Sequence, residues 1–195
     1  MPTEPDPKIS LAPWAAFLDE LDSLVPEPLA LHCIGGFVLT VVYGVPRVTS
    51  DLGCVAILPH YDLEATAGRG SALAKKHRVY LQYVGVNTMP EDYETRLTEL
   101  FPGRFKNLRI YAPDPYDLIL SKLERNSPKD REDVEYLVDK LKLDPNVLRE
   151  RYEREQRPNV SNESRHDLTL KLWLDLFPPQ AWSSTADLCR RMHRA

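Results

Sequence analysis

Six polar residues in two short runs could do chemistry in this 195-residue chain. The first run is Ile34 to Leu58, IGGFVLTVVYGVPRVTSDLGCVAIL, in which Gly35 and Gly36 follow an apolar hexapeptide and Asp51 opens a second apolar stretch. A glycine pair at the end of a strand lets the backbone turn sharply or come close to a ligand. Arg47 and Thr49 precede the second strand and Asp51 begins it, as a cation, a hydroxyl and a carboxylate at alternate positions. The second run is Asp114 to Leu141, where Lys122, Asp130 and Asp133 fall at the edges of apolar helix faces. A lysine can neutralise charge developing on an anionic group, and a carboxylate within reach of a hydroxyl can act as a general base. The same three residues could instead clasp one another, since a buried charge left unpaired costs several kcal/mol.

The elements that position these groups follow from apolar spacing. Leu29 to Ile34 reads as a buried strand, Phe37 to Tyr43 as a short buried helix stopped by Gly44 and Pro46, and Asp51 to Leu58 as a second buried strand. Asp51 should therefore stand at a strand mouth. Val79 to Val86 reads as a third strand, Glu91 to about Leu100 as a helix with acids in its first turn, and Leu108 to Tyr111 as a short fourth strand. Upstream, Ser10 is placed to cap a helix from Leu11 to about Val25, with Trp14, Phe17, Leu18 and Leu21 on one face. His32 reads as a packed, hydrogen-bonded strand residue.

Beyond Pro113 the pattern is helical. Asp114 with Pro115, and Ser127 with Pro128 and Asp130, are two successive helix starts, so the helices should form a tight hairpin across Arg125 and Asn126. Helices at about 146–157 and 161–177 follow, the second carrying Trp173 toward the hairpin, and a last one from about Ser184 ends in Arg190, Arg191, His193 and Arg194, cations that answer its dipole. The division expected is an α/β core over 1–112 and a packed helical region over 113–195.

The two runs together resemble the nucleotidyltransferase superfamily, in the branch of AbiEii-type toxins and minimal nucleotidyltransferase antitoxins. Members carry a Gly-Gly or Gly-Ser turn after the first strand, then R-x-T-x-D-[ILV]-D; Gly35, Gly36, Arg47, Thr49, Asp51 and Leu52 match, and Gly53 stands where the second acid is expected. Lys122, Arg125, Lys129, Asp130 and Asp133 follow the branch's later lysine and acid motifs in order. The resemblance implies an α/β (α+β) fold, a small mixed sheet flanked by helices and followed by a helical region. It also implies a nucleoside triphosphate as ligand, with magnesium (or manganese) held at Asp51 as metal ligand. Gly35, Gly36, Arg47, Thr49 and Lys122 would bind the nucleotide, Asp51, Lys122, Asp130 and Asp133 would be catalytic, and the acceptor would be an RNA or protein hydroxyl. On that expectation the triphosphate lies between the strand mouth at Asp51 and the hairpin at Lys122. Two departures favour an alternative, a weakened relative serving as a binding module such as a toxin-antitoxin component. Gly53 removes half of the acid pair, and no acid lies between Lys75 and Pro90 to complete a metal cage from the third strand.

Other features are plain. Gly68-Arg69-Gly70-Ser71, followed by Lys75, Lys76 and Arg78, could cradle an anion, but reads more simply as a turn between two helices with a solvated basic end. The net charge of −4 argues against a general nucleic-acid coat. Cys33, Cys54 and Cys189 lack paired spacing and read as reduced and inert. With no membrane-length apolar run and no basic-then-apolar start, a cytoplasmic protein without membrane contact is expected.

Overall fold

Leu29–Ile34 (β1) is apolar at every position but His32, and it occupies the centre of a five-stranded mixed sheet of order β3-β2-β1-β5-β4. The structure is a computed structural model that describes residues 11, 14–85 and 88–178. β1 pairs antiparallel with Asp51–Leu58 (β2) and parallel with Leu108–Ala112 (β5). On the outer sides, Tyr80–Tyr83 (β3) runs parallel to β2, and Thr98–Leu100 (β4) runs antiparallel to β5. The chain thus has the mixed α/β architecture expected of it, a small sheet with flanking helices and a C-terminal helical region.

Two compact units are present. The first comprises 1–87 and 93–114, the second 88–92 and 115–195. In the first, Trp14–Leu24 (α1), Gly35–Val41 (α2), Glu64–Ala67 (α3) and Ala72–His77 (α4) join the sheet. One sheet face presents Leu31 and Cys33, Leu52, Cys54 and Ile57, and Leu81, all buried. Trp14, Phe17 and Phe37 close that core, with the Trp14 and Phe37 rings edge to face at 5.0 Å. Asp22 fastens α1 to the start of β5 by accepting the backbone N–H groups of Lys106, Asn107 and Leu108. Ser10 and Cys189, like the basic end of the chain, lie outside the described residues.

The expected helix from Glu91 to Leu100 is replaced by a single 3-10 turn, Tyr93–Arg96, and the edge strand β4. A hairpin with β5 through Pro102 and Gly103 (φ +76°) satisfies the Thr98–Leu100 backbone where a helix of this length would be marginal. Leu108–Ala112 is accordingly the fifth strand.

The second unit contains Pro115–Leu120 (α5), Pro128–Leu141 (α6), Pro145–Arg151 (α7) and Glu163–Leu174 (α8). A π-helical turn, Tyr152–Gln156, prolongs α7. Ser127 and Asp130 form the expected capping box at the start of α6. Asn126, in the left-handed conformation (φ +44°), ties the hairpin to α8 by accepting the Trp173 indole N–H at 3.1 Å. Among the described residues no helix is long and apolar enough to cross a membrane.

Candidate functional site

In the first unit the turn between β1 and α2 is fitted to the loop that enters β2. Gly35 has φ +74°, a conformation that favours glycine, and a Cβ there would meet nothing within 4 Å, so its outer side is open. Gly36 differs. A Cβ on it would lie 2.6 Å from Thr49 Oγ1 and 3.0 Å from Thr49 Cβ, so only a hydrogen leaves room for that side chain. The Thr49 hydroxyl is buried and donates to Asp51 Oδ1 at 2.9 Å. Gly36, Thr49 and Asp51 therefore form one continuous contact that joins the glycine turn to the carboxylate. Arg47 lies half-buried on the same loop, two residues before Thr49.

Strand register sets the neighbours of Asp51. Ile34 is opposite Gly53 on β1, while Tyr80 and Gln82 on β3 are level with Asp51 and Gly53. Alternation along β2 puts Asp51 and Gly53 on one face, so the two places where further acids could join Asp51 hold a glycine and an amide. Among the described residues no group of three or more His, Cys, Asp or Glu side chains could hold a metal ion. A lone carboxylate suits magnesium only in company with substrate phosphates, which supply the ion's remaining charged ligands. The residues present do not fit a resident metal held by the protein alone.

The same face carries His32, level with Tyr111 on β5. Tyr93 lies within 3.1 Å of His32 Nδ1 through its hydroxyl, and the rings of Tyr93 and Tyr111 each meet the imidazole edge to face. Burial holds His32 below its ordinary pKa, against the opposing charge of Glu94. Burial, reinforced by Glu94, pushes Tyr93 up to about 12. His32 is thus a partnered, packed side chain.

In the second unit Lys122, Asp130 and Asp133 converge. Lys122 Nζ donates to Asp130 Oδ1 at 3.2 Å and to Asp133 Oδ2 at 2.9 Å, and the three residues are only 4%, 0% and 1% exposed. Arg125 forks onto both oxygens of Asp130, and Ser127 gives it a backbone N–H and a hydroxyl. Burial works to raise the Asp130 pKa, but the bonds from Arg125 and Ser127 and the Lys122 charge outweigh it and hold the carboxyl well below the usual range. So strongly stabilised an anion has little affinity for a proton. The cluster stitches the α5 end to the α6 start, which is the clasp that these residue types also allowed.

Several contacts have no signature in the sequence. Arg69, from the Gly68 to Ser71 turn, stacks over the Tyr80 ring at 5.1 Å. Arg151 donates to the buried Asp117 and lies over the Tyr116 ring. Gln156, buried on the π-helical turn, donates to the carbonyls of Thr88 and Leu120 and so fastens the 88–92 segment to the rest of the second unit. No curated protein and no solved structure matches the chain. The sequence profile of the family described as "Nucleotidyltransferase of unknown function (DUF6036)" does match, over residues 16–177, and the chain belongs to that family.

Proposed function

We propose that the first unit binds a nucleoside triphosphate at the Gly35-Gly36 turn beside Asp51, and that the protein transfers a nucleotide from it to an RNA or protein hydroxyl. The observation that carries this reading is the Gly36, Thr49, Asp51 contact: a turn open on its outer side at Gly35 is locked to the Asp51 carboxylate. Gly35 and Gly36 let phosphate approach the backbone, and Arg47 supplies positive charge on the adjoining loop. Magnesium or manganese arriving with the triphosphate would neutralise phosphate charge beside Asp51. In the transfer, the acceptor oxygen forms a bond to the α-phosphorus while the bond to the bridging oxygen breaks. Pyrophosphate leaves with that electron pair, and the hydroxyl proton passes to solvent. The triphosphate role of Lys122 and the base role of Asp130 or Asp133 would require their buried clasp to open, so the proposal gives these residues the shape of the hairpin instead. The matching runs in both units support a place near the AbiEii-type toxins and minimal nucleotidyltransferase antitoxins.

Gly53 and Gln82 favour a second reading, a weakened relative that keeps the fold as a binding module in a toxin-antitoxin pair. One assay separates the two: incubation with labelled nucleoside triphosphates, magnesium or manganese, total RNA and lysate. Metal-dependent labelling that is lost in Asp51→Ala supports transfer. Absence of labelling, with no thermal shift from any nucleotide, leaves the binding module.

A further inference from the structure

Three features stand in a row at one end of the first unit's sheet, where the strand order is β3-β2-β1. The Gly35-Gly36 turn follows β1, Asp51 begins β2, and Tyr80 begins β3 level with Asp51. Residues in register on neighbouring strands share a face about 4.8 Å apart. Tyr80 and Gln82 therefore lie beside Asp51 and Gly53, on the side away from the glycine turn. A groove of about 290 Å³ opens there, lined by Glu64, Arg69, Tyr80, Leu81, Gln82 and Tyr83. Arg69 lies over the Tyr80 ring, 5.1 Å from its centre, and Glu64, Arg69 and Gln82 are all exposed.

The lining is mixed in charge, and the mixture narrows the ligand. A phosphate drawn to Arg69 would be repelled by Glu64, and a charged peptide side chain of either sign would meet the same conflict. A nucleobase can use every polar group in the groove. Its flat face stacks on a guanidinium plane or a tyrosine ring, and its edge offers both donors and acceptors. Gln82 can donate and accept at such an edge, whereas the Glu64 carboxylate only accepts, which favours a base with an exocyclic amine over uracil.

In nucleotide transfer the attacking and leaving oxygens lie roughly in line through the α-phosphorus. With the triphosphate at the glycine turn and its α-phosphate beside Asp51, pyrophosphate departs on the β1 side, and the attacking hydroxyl must come from the β3 side. We propose, resting on the nucleotide reading for this direction, that the groove is the acceptor subsite and that it holds an unpaired base of a single-stranded RNA. A ribose hydroxyl of that RNA attacks: its oxygen forms the new bond to the α-phosphorus, the bond to the bridging oxygen breaks, and pyrophosphate leaves with the electron pair while the proton passes to solvent. Arg69 and Tyr80 supply the stacking surface, and Gln82 and Glu64 read the base edge.

The test uses the full chain and short unstructured oligoribonucleotides, labelled at the 5′ end and ending in A, C, G or U, with no triphosphate present. Fluorescence polarisation should show saturable binding that is weakest for the member ending in U. Arg69→Ala should weaken the best oligonucleotide about tenfold, and so should Arg69→Lys, which keeps the charge but loses the stacking plane. Glu64→Gln should narrow the gap between the U member and the others. These three positions are exposed, so the variants should keep the wild-type circular dichroism spectrum. Calorimetric titration of Arg69→Ala with triphosphate and magnesium should match wild type. No binding of any oligonucleotide by a wild type that binds triphosphate would overturn the proposal, and so would undiminished binding by Arg69→Lys, which would mark simple attraction to phosphate. A triphosphate affinity that falls in Arg69→Ala as far as the oligonucleotide affinity would also overturn it, since the base held there would belong to the triphosphate. Failure of the nucleotide reading shows separately, as absence of triphosphate binding by wild type.

Discussion

The α-carbon of Gly36 faces the side chain of Thr49 so closely that an added methyl group would lie 2.6 Å from its Oγ1. This contact fixes how the β1 turn meets the entrance of β2. It gives the Gly-Gly and Thr-x-Asp pattern a steric basis: the second glycine provides room, the threonine fills it, and its hydroxyl holds the acid.

Gly36→Ala is therefore expected to destabilise the protein by about 1–3 kcal/mol, the usual cost of forcing extra volume into a packed place. Gly35→Ala meets no neighbour, so its penalty should be the smaller, conformational one of about 1–2 kcal/mol for a left-handed residue with a Cβ. Denaturant melts of Gly36→Ala, Thr49→Ala and the double variant should be non-additive, with a coupling of about 0.5–3 kcal/mol. Simple additivity would mean that the two positions do not press on each other.

Gly53→Asp should be accommodated and should create a metal response. A Cβ at position 53 would meet Ile34 O at 3.4 Å, an ordinary contact, and its carboxylate would share a face with Asp51. Without metal the two like charges repel each other, so the variant should melt below wild type and recover in millimolar magnesium or manganese. A thermal shift with metal no larger than that of wild type would count against this placement of Asp51.

Lys122→Met should be among the most damaging single changes in the second unit. It leaves Asp130 and Asp133 buried with less compensation, and removing one member of a buried ion pair typically costs about 3–5 kcal/mol. A chemical melt showing less than about 1 kcal/mol of loss would indicate that the clasp opens readily, which would return Lys122 to the list of ligand contacts.

Acid should weaken the same clasp. The folded-state pKa of Asp130 lies below its ordinary value of 3.8, so the stability it contributes is fully present above about pH 4 and is lost as pH falls through the folded value. The melting temperature of wild type should exceed that of Asp130→Asn most at neutral pH, and the gap should narrow below about pH 4. A gap that is constant with pH would show that the carboxylate charge is not what holds the hairpin.

Much of this arrangement is legible in the residues. The strands β1 and β2, the helix between them, the Ser127 capping box and the packing of Trp173 follow from apolar period and stop signals, which act over a few residues. The segment Glu91 to Leu100 was not legible in that way, because a long-range partner, β5, decides its conformation. For the site, the sequence marks Gly35, Gly36, Thr49 and Asp51 as a group, but not that Thr49 is the piece that joins them. It shows that the third strand lacks an acid, while only the strand register brings Gln82 beside Gly53. The inward charges of Lys122, Asp130 and Asp133 are predictable from helix faces. That they neutralise one another depends on their distances, which spacing alone does not give.

Isothermal titration of the protein with each common nucleoside triphosphate in the presence of magnesium tests the central claim most directly. The account predicts saturable binding of at least one, weakened about tenfold or more in Asp51→Asn and in Gly36→Ala, with both variants still folded by circular dichroism. Binding that is unchanged in both folded variants, or no binding of any triphosphate to wild type, would contradict it.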